Sequence, residues 1–182
     1  MDENYWKDAY QGTWPAASKR ENRLKAYLEK ETGMQCIASG LGAGSSQYIS
    51  GSAARNGYQK GDADFVIKGT NIYIEVTGPL VKTVKPTEPL WFRPDKLNNA
   101  IKNSSHVVFL AHHCMAADLW RVIHVDEEFK KRFREYQFPV VTPTIRNLPE
   151  RYVEIKADDR CVRDLSYLVM YLKQIKESQT NG

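Results

Sequence analysis

Carboxylates stand on two neighbouring runs of the sequence that are typical of β-strands. Residues 64–68 and 71–77 are rich in β-branched and aromatic residues and are bounded by glycines, which predicts two strands joined by a tight turn at Gly69-Thr70. Because side chains alternate between the two faces of a strand, Asp64 and Glu75 become neighbours if the pairing register brings their faces together. Adjacent carboxylates repel each other unless a cation lies between them, and hard oxygen ligands suit Mg²⁺ or Mn²⁺. The hairpin therefore predicts a divalent-metal site.

The same residues also fit an ordinary structural turn. Gly-Asp before a strand is common turn chemistry, and a single Glu in a strand is most often solvated on an exposed face. In that case the protein would act through protein contacts alone. The elements around the hairpin bear on the choice between the two interpretations.

A helix before the hairpin can bring a third carboxylate. Ser18 and Glu21 form a capping-box pattern, which predicts that this helix begins at Ser18, and Gly33 is a natural end for it. Its predicted buried stripe consists of Leu24, Tyr27 and Leu28. Glu21 lies on or beside the inward face, where it either caps the helix or approaches the hairpin. Residues 1–17 have the aromatic spacing of a short docking helix, and residues 34–39 predict a first strand.

Two irregular stretches carry basic residues that can contact a phosphate backbone. The first, residues 40–61, is rich in Gly, Ser, Ala and Asn and contains Arg55 and Lys60. The second, residues 79–89, contains Lys82 and Lys85. Such loops can follow a polyanion through N–H, hydroxyl and cationic contacts. Their glycines match neither a Walker motif nor a dinucleotide fingerprint, so we expect no nucleotide cofactor.

The remaining sequence alternates between predicted helices and strands. Pro94 suits the first position of a helix that carries Lys96, and residues 105–111 form an apolar run typical of a central strand covered on both faces. The buried stripe of the helix is Leu97, Ala100 and Ile101. The next segments predict a strand at 119–125, a helix that is capped by Asp126 and extends to 136, and a loop at 138–149. They are followed by a predicted last strand at 152–156, a terminal helix at about 159–177 whose apolar stripe includes Val162, and a disordered tail.

Length and composition indicate a single soluble domain. The chain has 182 residues, of which 42% are hydrophobic and 26% charged. No apolar run approaches the roughly 18 residues needed to cross a bilayer, and the N-terminus lacks the apolar core of a signal peptide, so we expect a cytoplasmic protein without a membrane partner. The formal net charge of +4 is compatible with a polyanionic partner.

The cysteines do not indicate a disulfide framework. Cys36, Cys114 and Cys161 are far apart and show no C-x-x-C spacing, which predicts buried thiols. His112 and His113 precede Cys114, but they lack a distant partner pair for zinc. We expect them to be structural residues or residues at the edge of the site.

The order helix, strand, acidic hairpin, helix, strand resembles the PD-(D/E)XK nuclease superfamily over about residues 18–112. Holliday-junction-resolvase-like and Mrr-like restriction nucleases are similar in their Gly/Ser-rich loop, here Ser50-Gly-Ser52, and in the turn that follows, here Lys60-Gly-Asp62-Ala-Asp64. The resemblance implies an α/β fold with a restriction-endonuclease-like mixed β-sheet flanked by helices in the core order αβββαβ. A C-terminal βα(β)α extension at 115–177 would complete one domain, 1–182.

The resemblance also implies a chemistry and a set of site residues. It implies hydrolysis of DNA phosphodiesters with Mg²⁺ or Mn²⁺. The metal would be held by Asp64, Glu75 and the carbonyl of Val76, and Glu21 would support it from the first helix. Lysines and loop N–H groups would hold the DNA backbone, mainly through salt-dependent electrostatics.

One position departs from the family pattern. Thr77 stands where the third motif residue is usually a lysine, which is thought to orient the attacking water and to stabilise charge on the phosphorane; a neutral hydroxyl supplies no positive field. Lys96 is the first candidate for a relocated lysine, and Lys60 is the second. With such a lysine we expect a metal-dependent DNA endonuclease of restriction or junction-resolving type that acts as a homodimer. Without one, we expect a catalytically inactive module that binds nucleic acid or a protein partner.

Overall fold

The structure, a computed structural model, describes residues 13–39 and 63–182. The helices in these residues are α1 (Trp14–Thr32), α2 (Pro94–Lys102), α3 (Glu127–Arg134) and α4 (Leu165–Thr180). The strands are β1 (Cys36–Ala38), β2 (Phe65–Ile67), β3 (Ile72–Thr77), β4 (Leu90–Phe92), β5 (Val107–Cys114), β6 (Leu119–His124), β7 (Val140–Val141), β8 (Thr144–Ile145), β9 (Leu148–Pro149), β10 (Tyr152–Ile155) and β11 (Val162–Asp164).

A mixed six-stranded sheet forms the centre of the fold. Its strands lie in the order β1-β2-β3-β5-β6-β11, and every neighbouring pair is antiparallel except β3 and β5, which are parallel. A parallel pair needs a crossover. The chain crosses from β3 to β5 through residues 79–89, strand β4 and helix α2.

Helices cover both faces of this sheet. On one face, apolar residues of α1 and α4 pack with Phe109 and Ala111 of β5. On the other face, residues of α2 and α3 pack with Val108 and Leu110 of the same strand. Because successive side chains of a strand point to opposite faces, β5 contributes to both cores, and its sequence reads as one apolar run. The predicted central strand and the mixed sheet flanked by helices are therefore confirmed.

The start of helix α1 differs from the prediction. The helix begins at Trp14, so Ser18 and Glu21 lie inside it and the predicted capping box is wrong. Pro15 occupies the first turn, where a missing N–H removes no intrahelical hydrogen bond and the fixed backbone angle favours the helix. This proline moves the helix start upstream of the Ser-x-x-Glu pattern.

The end of α1 and most of its buried stripe match the prediction. Gly33 ends the helix in the left-handed conformation, with φ of 65°. Leu24 and Leu28 are buried, as expected from their spacing. Tyr27 is 42% exposed and does not belong to the stripe, so this part of the prediction is wrong.

The C-terminal half contains more strands than the sequence predicts. The segment 138–149, predicted as a loop, contains the two-residue strands β7, β8 and β9. β10 lies where the last strand was predicted, but β11 follows it and pairs with β6 at the edge of the central sheet. Val162 therefore belongs to β11 and not to the terminal helix. Helix α4 begins at Leu165 and continues to Thr180, into the segment predicted to be disordered.

Several other predictions can be compared directly with the described residues. Helix α2 begins at Pro94, and the Asp126 side chain caps α3 by accepting a hydrogen bond from the N–H of Phe129 at 2.8 Å, both as predicted. Cys36 and Cys114 are buried free thiols as predicted, whereas Cys161 is a free thiol that is only partly buried, so the prediction is wrong for that residue. The predicted loop 40–61 and most of the predicted helix in 1–17 lie outside the described residues. In the part of the chain that the structure describes, no helix is both long and apolar enough to span a membrane.

Candidate functional site

The acidic hairpin forms with the register that brings its carboxylates together. β2 and β3 pair antiparallel, with Phe65 opposite Ile74, and the N–H of Asp64 donates to the carbonyl of Ile74 at 3.1 Å. One step further along this ladder, Asp64 lies opposite Glu75. The turn between the strands is closed by a hydrogen bond from the Thr70 N–H to the carbonyl of Ile67 at 3.1 Å.

Glu75 is the buried centre of the site. It is 5% exposed, and its Oε1 accepts from the ammonium of Lys96 at 2.8 Å. Its other oxygen, Oε2, is also buried and has no hydrogen-bond partner among the described residues. A buried carboxylate oxygen without a partner is costly, because it has lost its water and gained nothing in return. The contacts among residues 13–39 and 63–182 therefore leave one oxygen of this carboxylate unsatisfied.

Asp64 lies beside Glu75 and is held by the backbone. Its Oδ2 accepts a hydrogen bond from the N–H of Val76 at 2.7 Å, which fixes the carboxylate against β3. Burial raises the pKa of Asp64, although the positive charge of Lys96 and the Val76 N–H act in the opposite direction. Burial also raises the pKa of Glu75 well above its ordinary value, and the negative charge of Asp64 raises it further. The pair therefore retains protons more strongly than two free carboxyl groups would.

Lys96 comes from a different element, the first turn of α2. Leu97 and Ala100 bury one side of α2 against the sheet, and this packing places Lys96 over the acidic strands. Burial disfavours the charged form of Lys96, but the charges of Glu75 and Asp64 outweigh burial and raise its pKa. Lys96 is therefore an ammonium at neutral pH. The predicted lysine from this helix does reach the acidic pair.

The other predicted site residues lie at different distances from this centre. Glu21 is half-buried on α1, and its negative charge contributes a minor part of the raised pKa of Glu75. Thr77 ends β3, where its backbone lies opposite His112 of β5. Thr77 falls on the same face of β3 as Glu75, since the two are two residues apart. Lys82 and Lys85 are exposed in the segment after β3. The remaining predicted contacts, Arg55 and Lys60, lie outside the described residues.

The acidic pair fits a hard divalent cation, although it is a minimal site. Within residues 13–39 and 63–182, no three His, Cys, Asp or Glu side chains are grouped to hold a metal ion. Mg²⁺, however, is commonly held by only one or two carboxylates, with water and substrate phosphate completing its shell. Such an ion would satisfy the buried Oε2 of Glu75, which has no partner in the described part of the chain, and would relieve the mutual repulsion of Asp64 and Glu75.

A cleft of about 220 Å³ opens beside the acidic pair. Glu75 and Lys96 line it together with the rings of Tyr73 and His106. The two rings are stacked, with centroids 4.0 Å apart and planes inclined by 20°. No local pattern in the sequence indicates this aromatic wall, because His106 reaches Tyr73 only through the parallel register of β3 and β5.

A buried basic group beyond Thr77 was also missed. Arg20 of α1 donates from Nη1 to the carbonyl of Gly78 at 2.6 Å, and Arg121 of β6 donates from Nη1 to the carbonyl of Pro86 at 2.7 Å. Both arginines thus anchor the segment that follows β3. Burial, with a smaller contribution from Arg121, lowers the pKa of His112 to about 3, so this imidazole is neutral. The sequence signal for Arg121 was a charged residue in the predicted strand 119–125, whose other residues are apolar except for His124.

Comparison with known proteins adds no family to this description. No protein-family model matches the chain, and no curated protein matches it significantly. The geometry of the site is therefore the basis on which a function can be assigned to this protein.

Proposed function

We propose that this protein is a metal-dependent DNA endonuclease of restriction or junction-resolving type. The observation that carries the proposal is the meeting of Asp64, Glu75 and Lys96, with Lys96 Nζ 2.8 Å from Glu75 Oε1. Asp64 directly precedes β2, Glu75 lies on β3 and Lys96 lies on α2. Two carboxylates and one ammonium at one point are the groups needed to hold a divalent ion and a phosphodiester together.

The order of elements supports a restriction-endonuclease-like fold within this proposal. A helix, three strands paired antiparallel, a second helix and a strand parallel to the third follow one another as α1, β1, β2, β3, α2 and β5, with the short strand β4 before α2. The resemblance to PD-(D/E)XK nucleases rests on this order and on the acidic residues placed on it. It is a likeness of arrangement, and activity measurements can test whether the chemistry of that family accompanies it.

Asp64, Glu75 and the carbonyl of Val76 would hold Mg²⁺ or Mn²⁺. The bound ion would polarise the scissile phosphate and lower the pKa of a coordinated water. The protein supplies two buried carboxylates, of which Asp64 is held by the Val76 N–H and Glu75 by Lys96. The basic residues Arg55, Lys60, Lys82 and Lys85 would hold the DNA backbone through their positive charges.

Lys96 would take the role that the family assigns to the lysine replaced here by Thr77. Its raised pKa keeps the side chain protonated, so it cannot accept the proton of the attacking water. It acts instead as a donor and a positive charge, placed to orient the water or to stabilise negative charge on the phosphate. Cutting both strands requires two such sites, and a homodimer would provide them.

A catalytically inactive module that binds nucleic acid or a protein partner is the second candidate. The observation in its favour is that Thr77 cannot supply a charge and that Lys96 already neutralises Glu75. In such a module the ion pair would stabilise the hairpin and would have no part in chemistry.

Incubation with supercoiled plasmid and with branched DNA, in Mg²⁺ or Mn²⁺, separates the two candidates. We expect the wild-type protein to nick or cut the DNA and Glu75→Gln to lose at least about 100-fold of the rate. Glu128→Gln, an exposed glutamate on α3, is the matched control and retains activity. DNA retention in a gel without cleavage in either metal would support the inactive module and overturn the endonuclease.

A further inference from the structure

The cleft beside the acidic pair has one wall made of aromatic rings. Tyr73 and His106 stack on each other at 4.0 Å between centroids, and both rings are half-buried, so the stacked pair remains part of the cleft surface. A stacked pair inside a packed core would need no open space beside it. Here the space is about 220 Å³, and it also contains Glu75 and Lys96.

Hydrogen bonds of the preceding turn hold His106 in place. The Nδ2 atom of Asn103 lies 2.9 Å from Nε2 of His106, and the N–H of His106 donates to the carbonyl of Asn103 at 3.2 Å. Asn103 is itself fixed, because its Oδ1 accepts from the hydroxyl of Ser105 at 2.7 Å. Tyr73 is fixed by its place in β3, where its backbone lies opposite Val108. The ring wall is therefore formed before any ligand arrives, which lowers the entropic cost of binding.

The spacing along β3 relates this wall to the acidic pair. Tyr73 and Glu75 are two residues apart on one face of the strand, which corresponds to roughly 6.6 Å. In a nucleotide, the sugar separates the base from its phosphate by a comparable span. A phosphate held near Glu75 and Lys96 would thus place its own base against the rings.

We propose that this cleft binds the base of an unpaired nucleotide against the Tyr73–His106 pair. A base inside an intact duplex is covered on both faces by its neighbours, so it cannot stack on a protein ring without leaving the helix. The protein would therefore act where a nucleotide is already unpaired, at a branch, a flap or a single-stranded end. Ser39 and Asn99 also line the cleft and would provide polar groups for the edge of such a base. The inference rests on the proposed endonuclease function and narrows its substrate class.

The test measures binding of a fluorescent base. The analogue 2-aminopurine is placed either at the unpaired position of a flap oligonucleotide or at the same position of a perfect duplex, with Ca²⁺ in place of Mg²⁺ to prevent cleavage. We expect the wild-type protein to quench the unpaired base by stacking and to bind the flap at least about tenfold more tightly than the duplex.

Variants assign that preference to the ring wall. His106→Leu and Tyr73→Leu should each reduce the flap preference by about tenfold, whereas Tyr73→Phe keeps the ring and should retain it. Tyr27→Leu removes a half-exposed ring from α1, on the opposite face of the sheet, and is the matched control. Circular dichroism melting of each variant identifies any loss of fold. If Tyr73→Leu does not fold, the comparison of Tyr73→Phe with His106→Leu still tests whether the flap preference depends on the two rings.

The outcomes separate this inference from the endonuclease proposal. Equal binding of flap and duplex by the wild-type protein, with DNA cleavage intact, overturns the base site and leaves the endonuclease standing. Quenching that depends on Tyr73 and His106, without cleavage in Mg²⁺ or Mn²⁺, supports the base site and overturns the endonuclease. Quenching that is unchanged in His106→Leu and Tyr73→Leu overturns the base site as well.

Discussion

The buried ion pair between Lys96 and Glu75 gives the sharpest prediction for the folded state. Lys96→Met removes the ammonium and keeps a straight side chain of similar length. At 2.8 Å, with an effective dielectric constant of about 20, the attraction between the two charges is about 6 kcal/mol. Protonation of Glu75 in the variant recovers part of this energy. We therefore expect the free energy of unfolding at pH 7 to fall by about 3–5 kcal/mol, the usual cost of removing one partner of a buried pair.

The sign of the pH dependence follows from Glu75. Its pKa in the folded protein is already raised above the ordinary value of 4.5, and loss of Lys96 raises it further. Between pH 4.5 and the raised value, the folded state binds more protons than the unfolded state, so the free energy of unfolding falls as the pH rises. The cost of Lys96→Met should therefore be small near pH 5 and should grow towards pH 7.

Urea denaturation followed by circular dichroism at both pH values measures this prediction. The double variant Glu75→Gln/Lys96→Met removes both charges and should recover most of the lost stability. Lys131→Met breaks an exposed pair with Glu135, at 4.0 Å, and should change the free energy of unfolding by less than about 0.5 kcal/mol. If Lys96→Met costs no more than Lys131→Met at pH 7, or costs as much at pH 5 as at pH 7, the reasoning about the buried pair is wrong.

Three further predictions concern the metal, the backbone and the DNA. Because the pKa of Glu75 is raised, Mn²⁺ binding should release protons and tighten by up to about tenfold per pH unit, as measured by calorimetry in buffers of different ionisation enthalpy. Gly78→Ala should lower the free energy of unfolding by at least about 2 kcal/mol, since the φ of Gly78 is 132° and an added Cβ would meet a backbone carbonyl of β5. Gly69 has a φ of 75° but open space around it, so Gly69→Ala should lower the free energy of unfolding by only about 1 kcal/mol. Lys82→Ala and Lys85→Ala should each lower the number of counterions released on DNA binding by about one, as read from the slope of log affinity against log salt concentration.

Each of these measurements can also contradict its prediction. Metal affinity that does not change with pH would show that the acidic pair is not the metal site. Equal stability of the two glycine variants would show that the close approach of β3 and β5 at Gly78 carries no cost. A salt dependence that is unchanged in both lysine variants would remove the segment after β3 from the DNA-binding surface.

Local sequence patterns predicted the parts of the fold that depend on neighbouring residues. The hairpin follows from alternation and glycine placement, and α2 and α3 follow from Pro94 and the Asp126 cap. The strand β11 was missed because Val162 has helical spacing to Leu165 and Leu168, so that the strand reads as the first turn of α4. The strands β7, β8 and β9 contain two residues each, which is too short for any periodicity to be visible.

The site shows the same division between local and long-range information. Alternation along two adjacent strands was enough to place Asp64 beside Glu75, and the first turn of α2 made Lys96 a candidate. The aromatic wall required the register between β3 and β5, with Tyr73 opposite Val108, so that the turn before β5 brings His106 to Tyr73. No pattern in the sequence specifies a parallel register across a crossover.

Thr77 stands on β3 where the nuclease family usually has a lysine. Substitution of Lys96 therefore tests whether this residue supplies the missing positive charge in catalysis. In this structure Lys96 neutralises Glu75, so an entering divalent ion competes with an ammonium for the same carboxylate. Lys96→Met removes that competitor, and we expect the variant to bind Mn²⁺ more tightly than the wild-type protein in calorimetry at a pH high enough to keep Glu75 ionised in both proteins. If Lys96 also stabilises charge on the phosphate, the same variant should lose about 100-fold or more of its cleavage rate. Tighter metal binding with an unchanged cleavage rate would limit Lys96 to a structural counter-ion and would require another group to orient the water.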